Sequence, residues 1–167
     1  MLGELEEGRR IIARTREALR SDNRERTEEG IRLVLEHKAA GAEAVRLLSD
    51  EKPHVRENAA IAIGRLAKKG IGRPAGSTKA LVDLIEHHQV IYLRAARSAA
   101  WALEEGVHAG ARISENMIKT LERVADKESD HELRLGCLLV LGAMEDRVRR
   151  GQSAVESVHW MLSINRE

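Results

Sequence analysis

Seven histidines, a single cysteine and a dense population of Asp and Glu are the residues of this 167-residue chain best equipped for chemistry. His87 and His88 are adjacent, so on a helix they diverge by about 100° and do not share one metal ion. No HExxH pattern occurs. His131-Glu132 is an isolated His-Glu pair. Cys137 has no second cysteine to bond, and it lies on an apolar face between Arg134 and Leu141. That placement fits a small buried hydrophobe better than a nucleophile. The run GRPAGSTK, 72–79, holds the letters of a phosphate-binding loop in the wrong order, with no strand before it. No Ser/His or Cys/His set is arguable from spacing. The expectation is a non-catalytic chain with no cofactor and no metal.

Charge is the stronger local signal. Between Lys52 and Lys79 stand Lys52, Arg56, Arg65, Lys68, Lys69, Arg73 and Lys79, with Glu57 the only acid, a net +6 in a chain of net +1. Such a patch could meet nucleic acid or an acidic partner, or be balanced by acids from elsewhere, such as Glu104 and Glu105. Gly72-Arg73-Pro74 resembles the core of a minor-groove AT-hook, but Ile71 interrupts the Arg-Gly-Arg-Pro that a hook needs. Aromatics make up only 2% of the chain, with no Phe, which leaves few stacking platforms for single strands.

The elements that must position these residues are helices. Apolar residues recur at three- and four-residue steps almost throughout. Helices are predicted over about 4–20, 24–39, a short stretch after Gly41, 53–69, 77–87, 90–105, 114–126 and 130–149, with a last one over 151–165. Ser21-Asp22-Asn23 and Ser114 supply caps. Pro53 suits a first helical turn. Gly70 to Gly76 is the strongest breaker, while Gly41, Gly106 and Gly151 are expected to separate or end helices. The opening run MLGELEEGRRII is charged and does not read as a signal peptide. No apolar run approaches the ~18 residues of a membrane span, so a cytoplasmic protein without membrane contact is expected.

A fixed period organises the helices. Val55-Arg56, Leu93-Arg94 and Leu133-Arg134 lie 38 and 40 residues apart, the length of a stacked helical repeat. In that register Ala62, Ala100 and Val140 coincide, as do Ile63, Trp101 and Leu141, then Gly64, Ala102 and Gly142. Each unit follows a shorter helix ending near an acid: Asp50, Glu86 or Asp126.

The segment LLSDEKPHVRENAAIAIGRL resembles the HEAT-repeat family, especially its short form in bilin-lyase-like proteins. The likeness is clear at 44–70, 81–106 and 120–145, with a helix pair over 4–39 and a C-terminal helix over 151–165. It implies one domain spanning 1–167: an all-α solenoid of about four helix pairs, a right-handed superhelix, closed by a C-terminal capping helix. It further implies that Arg56, Arg94 and Arg134 are joint residues paired with Asp50, Glu86 and Asp126, and that the second helix of each pair lines an inner surface. His131-Glu132 resembles one of the pairs that a HEAT-like di-iron hydroxylase uses, but the equivalent positions are Pro53-His54 and Ile91-Tyr92.

The functional expectation is a scaffold that binds another protein, with Arg65, Lys68, Lys69, Arg73, Arg94 and Arg97 as candidate contacts. Trp160 lies off the stripe formed by Val155, Val158 and Leu162. It either covers the end of the stack or anchors a partner or a second copy. The alternatives are nucleic-acid binding through 52–79 and an enzyme accessory or lyase-type HEAT protein.

Overall fold

The computed structural model describes residues 2–164, with side chains from 3 to 150. Eight α-helices run in sequence: α1 (Leu2–Leu19), α2 (Arg24–Glu36), α3 (Lys38–Leu47), α4 (Pro53–Lys68), α5 (Ser77–Glu86), α6 (Leu93–His108), α7 (Glu115–Lys127) and α8 (His131–Ile164), with a 3-10 turn at Val90–Tyr92 before α6. Among the described residues there is no strand. The second helices stack as a continuous layer, α2 on α4 on α6 on α8. The first helices form the other layer, α1 against α3 and α5 against α7. The chain is an α-solenoid.

Local chemistry sets the helix starts. The Asn23 side-chain oxygen accepts from the Arg26 amide at 3.1 Å, and the Ser114 hydroxyl from the Met117 amide at 3.4 Å. The Asp130 carboxylate accepts from the Leu133 amide at 2.8 Å at the head of α8. Each satisfies a donor that an open helix end would leave unpaired. Pro53 opens α4, where its missing N–H costs nothing.

Alanine makes the core thin. Ala59, Ala60 and Ala62 on α4 and Ala95, Ala96, Ala99, Ala100 and Ala102 on α6 are all buried, so α4 and α6 approach closely. Gly64 completes the contact, because it takes the ring of Trp101. Leu19, Leu47, Ile63, Ile85, Leu103, Leu121 and Leu133 fill the volume between the layers.

Three expected glycine breaks are elsewhere. Gly41 does not separate helices; it lies inside α3, pressed against Pro74. The joint is His37 instead, a single extended residue whose amide closes α2 onto the Leu33 carbonyl. Gly106 is inside α6, beside the Arg73 side chain. Gly151 does not end α8, so no separate capping helix follows. Glycine inside a helix costs about 1 kcal/mol relative to Ala but still donates its amide. It stops a helix efficiently where it turns to positive φ. Gly70 (φ +66) and Gly110 (φ +94) do so. The Ile71 amide returns to the Leu66 carbonyl and the Gly70 amide to Ala67; likewise Ala111 returns to Gly106 and Gly110 to Val107. The two termini are the same motif, one repeat apart.

Candidate functional site

Side chains on the second layer tie one repeat to the next. Arg65 on α4 grips Glu28 on α2 with two hydrogen bonds, 2.6 and 3.0 Å. Arg94 on α6 reaches back to Glu57 on α4 at 3.0 Å. Lys68 on α4 meets Glu105 on α6 at 3.4 Å. In the first layer Arg123 on α7 bonds Glu86 on α5. Every one of these pairs spans 37 residues.

The arginine joints therefore differ from expectation. Arg94 does not meet Glu86, which serves Arg123. Arg56 donates to the Asp50 backbone carbonyl, not to its carboxylate, and its guanidinium lies 3.9 Å from the Tyr92 ring centroid, a cation–π contact. Tyr92 in turn donates to the Glu51 carbonyl at 2.9 Å. The Asp50 carboxylate takes Arg20, just past the end of α1, at 2.6 Å. Burial pushes its carboxyl up, but the Lys52 amide and Arg20 together hold it below its ordinary value. Asp126 and Arg134 are both exposed, and no bond joins them. The acid at that joint is Asp130, whose partner is Arg97: Nε donates to Oδ1 at 2.9 Å. Arg97 also reaches Glu132 at 2.6 Å. Arg134 cannot repeat the Arg94 contact, since the position matching Glu57 on α6 is Ala95.

The basic stretch is largely spoken for. Arg65, Lys68 and Lys79 each meet a carboxylate from outside it, Glu28, Glu105 and Asp83. Its own acid, Glu57, serves Arg94. Arg73 donates to the Thr78 hydroxyl at 2.7 Å. Burial, then the charge of Arg147, draws its guanidinium below the usual range. Lys69 is exposed. Trp160 lies outside the described side chains.

No three His, Cys, Asp or Glu side chains converge for a metal ion among the described residues. Glu132 is held by Arg97, and His131 sits 3.5 Å from Arg134. Sequence reasoning missed the part-buried pair His88–Glu128, 3.0 Å apart, which fastens the end of α5 to the α7–α8 turn. No sequence signal marks it. Cys137 is fully buried. Burial, then the charge of Glu128, pushes its thiol up to about 11. Since the thiolate is the reactive form, Cys137 should resist maleimide in the native protein and label only as the chain unfolds. Rapid labelling at pH 7.5 without unfolding contradicts this.

A cleft of about 470 Å³ opens where Val34, Leu35 and Lys38 at the α2–α3 joint face Leu66, Ile71 and Pro74. Its walls are mainly aliphatic and also carry Glu36, His37 and Arg73.

The unit formed by α3, the Asp50 joint and α4 closed by Gly70 decides the comparison. Residues 44–70 match the HEAT repeat. No curated protein and no solved structure matches the chain. The HEAT match covers one helix pair. The units at 81–106 and 120–145 fall on α5–α6 and α7–α8 and stack as the matched one does. They depart from it in side chains: Arg97 and Trp101 replace small or aliphatic residues, and exposed leucines line α8. HEAT repeats generally mediate protein–protein interaction. No described helix is long and apolar enough to cross a membrane.

Proposed function

We propose that the chain is a non-catalytic scaffold that binds another protein across its second-layer helices. The observation that carries this reading is the row of inter-repeat ion pairs. It fixes α2, α4, α6 and α8 relative to one another, so the surface is formed before a partner arrives and less ordering entropy is lost on binding. Arg94, with its side chain 81% exposed despite its bond to Glu57, and Lys69 are the contacts to test first. Lys68, Arg65 and Arg97 flank them.

The geometry favours this over nucleic acid. With Arg65, Lys68 and Lys79 paired, the remaining cations are Lys52 and Arg56 at one end of α4, and Lys69 and Arg73 at the other. A 16-residue helix separates those ends by ~24 Å, so no continuous basic track follows a phosphate backbone.

A photo-crosslinking residue at Lys69 or Arg94, in cells of the source organism, should trap a discrete protein. The same residue at Lys79, on the first layer, should not. Absence of any adduct from the second-layer positions defeats the reading. In parallel, a fluorescent duplex should show no polarisation change at low salt. A strong change that collapses steeply as salt rises would assign the surface to nucleic acid instead.

A further inference from the structure

The cleft at the α2–α3 joint exists because one connection in the stack is short. The turns that end α4 and α6 close with the same hydrogen bonds, so Leu66 and Ile71 at the first correspond to Gly106 and Ala111 at the second. At the second turn the chain fills the groove itself. Arg73, from the longer α4–α5 connection, lays its side chain along Gly106. Its Cδ and Nη1 are 3.8 and 3.5 Å from where a Cβ on Gly106 would stand, and the Ala111 Cβ is 3.7 Å from the same point. The first turn faces the α2–α3 connection instead, which is the single residue His37. No such arm comes from it. The gap is left as about 470 Å³ between Val34, Leu35, Leu66, Ile71 and Pro74. Ile71 is 39% exposed there, an apolar surface that an occupant would take out of water.

What fills the second groove indicates what suits the first: an aliphatic stem with a charged head. The volume is within the roughly 300–1,000 Å³ of small-ligand sites. The sign of the head follows from the walls. Their permanent charges are Lys38, Arg73 and Glu36, two cations to one carboxylate. Arg73 bonds the neutral Thr78 hydroxyl, and the positive charge of Arg147 bears on it as well. Lys69, exposed, stands just before the turn. The excess is positive, so a carboxylate head is attracted and an ammonium head repelled. Arg73 is held by Thr78, whereas Lys38 is exposed at the start of α3, which makes Lys38 the counter-charge for the head.

We propose that the cleft binds a medium-chain aliphatic carboxylate, its chain between Leu35, Leu66 and Ile71 and its head at Lys38. Burial of the chain supplies most of the affinity, so each added methylene tightens binding about three- to fourfold until the cleft is full. The site is separate from the second-layer surface, and either can hold without the other.

Methyl NMR of the full chain, titrated with octanoate below its micelle concentration, tests the proposal. Saturable shifts should concentrate on Val34, Leu35, Leu66 and Ile71 and leave the exposed leucines of α8 unmoved. Hexanoate, two methylenes shorter, should bind about tenfold more weakly. Octylammonium should bind roughly tenfold more weakly than octanoate. Lys38→Glu should weaken octanoate by a similar factor with an unchanged circular dichroism spectrum, because the side chain is exposed. Lys127→Glu, at the far end of α7, should leave octanoate binding as it is. No saturable shift at the cleft methyls overturns the proposal. So does equal binding of octanoate and octylammonium, or an octanoate affinity that survives Lys38→Glu.

Discussion

Gly64→Ala lowers the unfolding free energy by about 1–3 kcal/mol, the usual range for overpacking a close contact. An added Cβ would stand 2.3 Å from Cζ3, 2.7 Å from Cε3 and 2.9 Å from Cη2 of Trp101, separations that a real Cβ does not tolerate. Elsewhere in a helix the same change gains roughly 0.5–1 kcal/mol, because alanine loses less backbone entropy than glycine. The sign therefore depends on the ring. In a Trp101→Ala background, Gly64→Ala should become neutral or stabilising. Trp101→Ala alone should cost about 2–3 kcal/mol, below the 3–5 of a fully buried aromatic, since the ring is only partly buried. Urea unfolding of the four proteins gives the coupling directly. A penalty for Gly64→Ala that survives without Trp101 would show that something other than the ring limits the approach of α4 and α6.

Acid should loosen the stack. Among the described residues, five carboxyls are held below their ordinary values. Glu28 is lowered first by its bond from Arg65, against burial. For Glu43, burial pushes upward, yet the bonds from Arg46 and Arg16 outweigh it. Asp50 follows the same balance with the Lys52 amide and Arg20. The Asp130 amide leads for Glu128, and Arg97 leads for Asp130. The unfolded chain then binds more protons than the folded one as pH falls through the ordinary carboxylate range. The stabilisation is complete above that range and is lost as pH drops through the lower folded values. Melting temperature should hold from pH 7 to about 6 and fall between about 5 and 3. Glu43 is 5% exposed and bridges α1 to α3 through Arg16. Glu43→Gln should flatten that fall and lower stability at pH 7. An unchanged slope removes Glu43 from the account.

Much of the architecture was readable in advance because helix starts and stops are local events. Asn23, Pro53 and Ser114 announce their helices by side-chain chemistry within three residues. The misread glycines show where local reading ends. Gly41 is tightly packed because Pro74 comes against it from a distant segment, and Gly106 lies inside α6 with Arg73 in ordinary contact, neighbours invisible in the local sequence. The joint arginines were matched to nearby turn acids, but Arg94 reaches the neighbouring repeat and Arg56 takes its own turn's backbone carbonyl rather than the carboxylate. The signal existed: Glu28 and Arg65, Glu57 and Arg94, and Glu86 and Arg123 keep a constant 37-residue offset, which the 38- and 40-residue register of the apolar residues conceals. The candidate contacts were legible as charge, whereas their pairing was not, because Glu28, Glu105 and Asp83 lie outside the basic segment.

Gly70 and Gly110 end their helices with the same two hydrogen bonds, so the chain departs from α4 and from α6 along equivalent paths. They are interchangeable seams. The forty residues after Gly70, through Gly110, form a removable cassette: excision joins Gly70 to Ala111 with both halves of the turn intact. In such a shortened chain α8 takes the place of α6, and Leu141 arrives over Gly64 where the indole had been. A branched aliphatic fills that socket less completely than a ring, so the length of this solenoid is editable, while the tightness of its central contact belongs to the unit that carries Trp101.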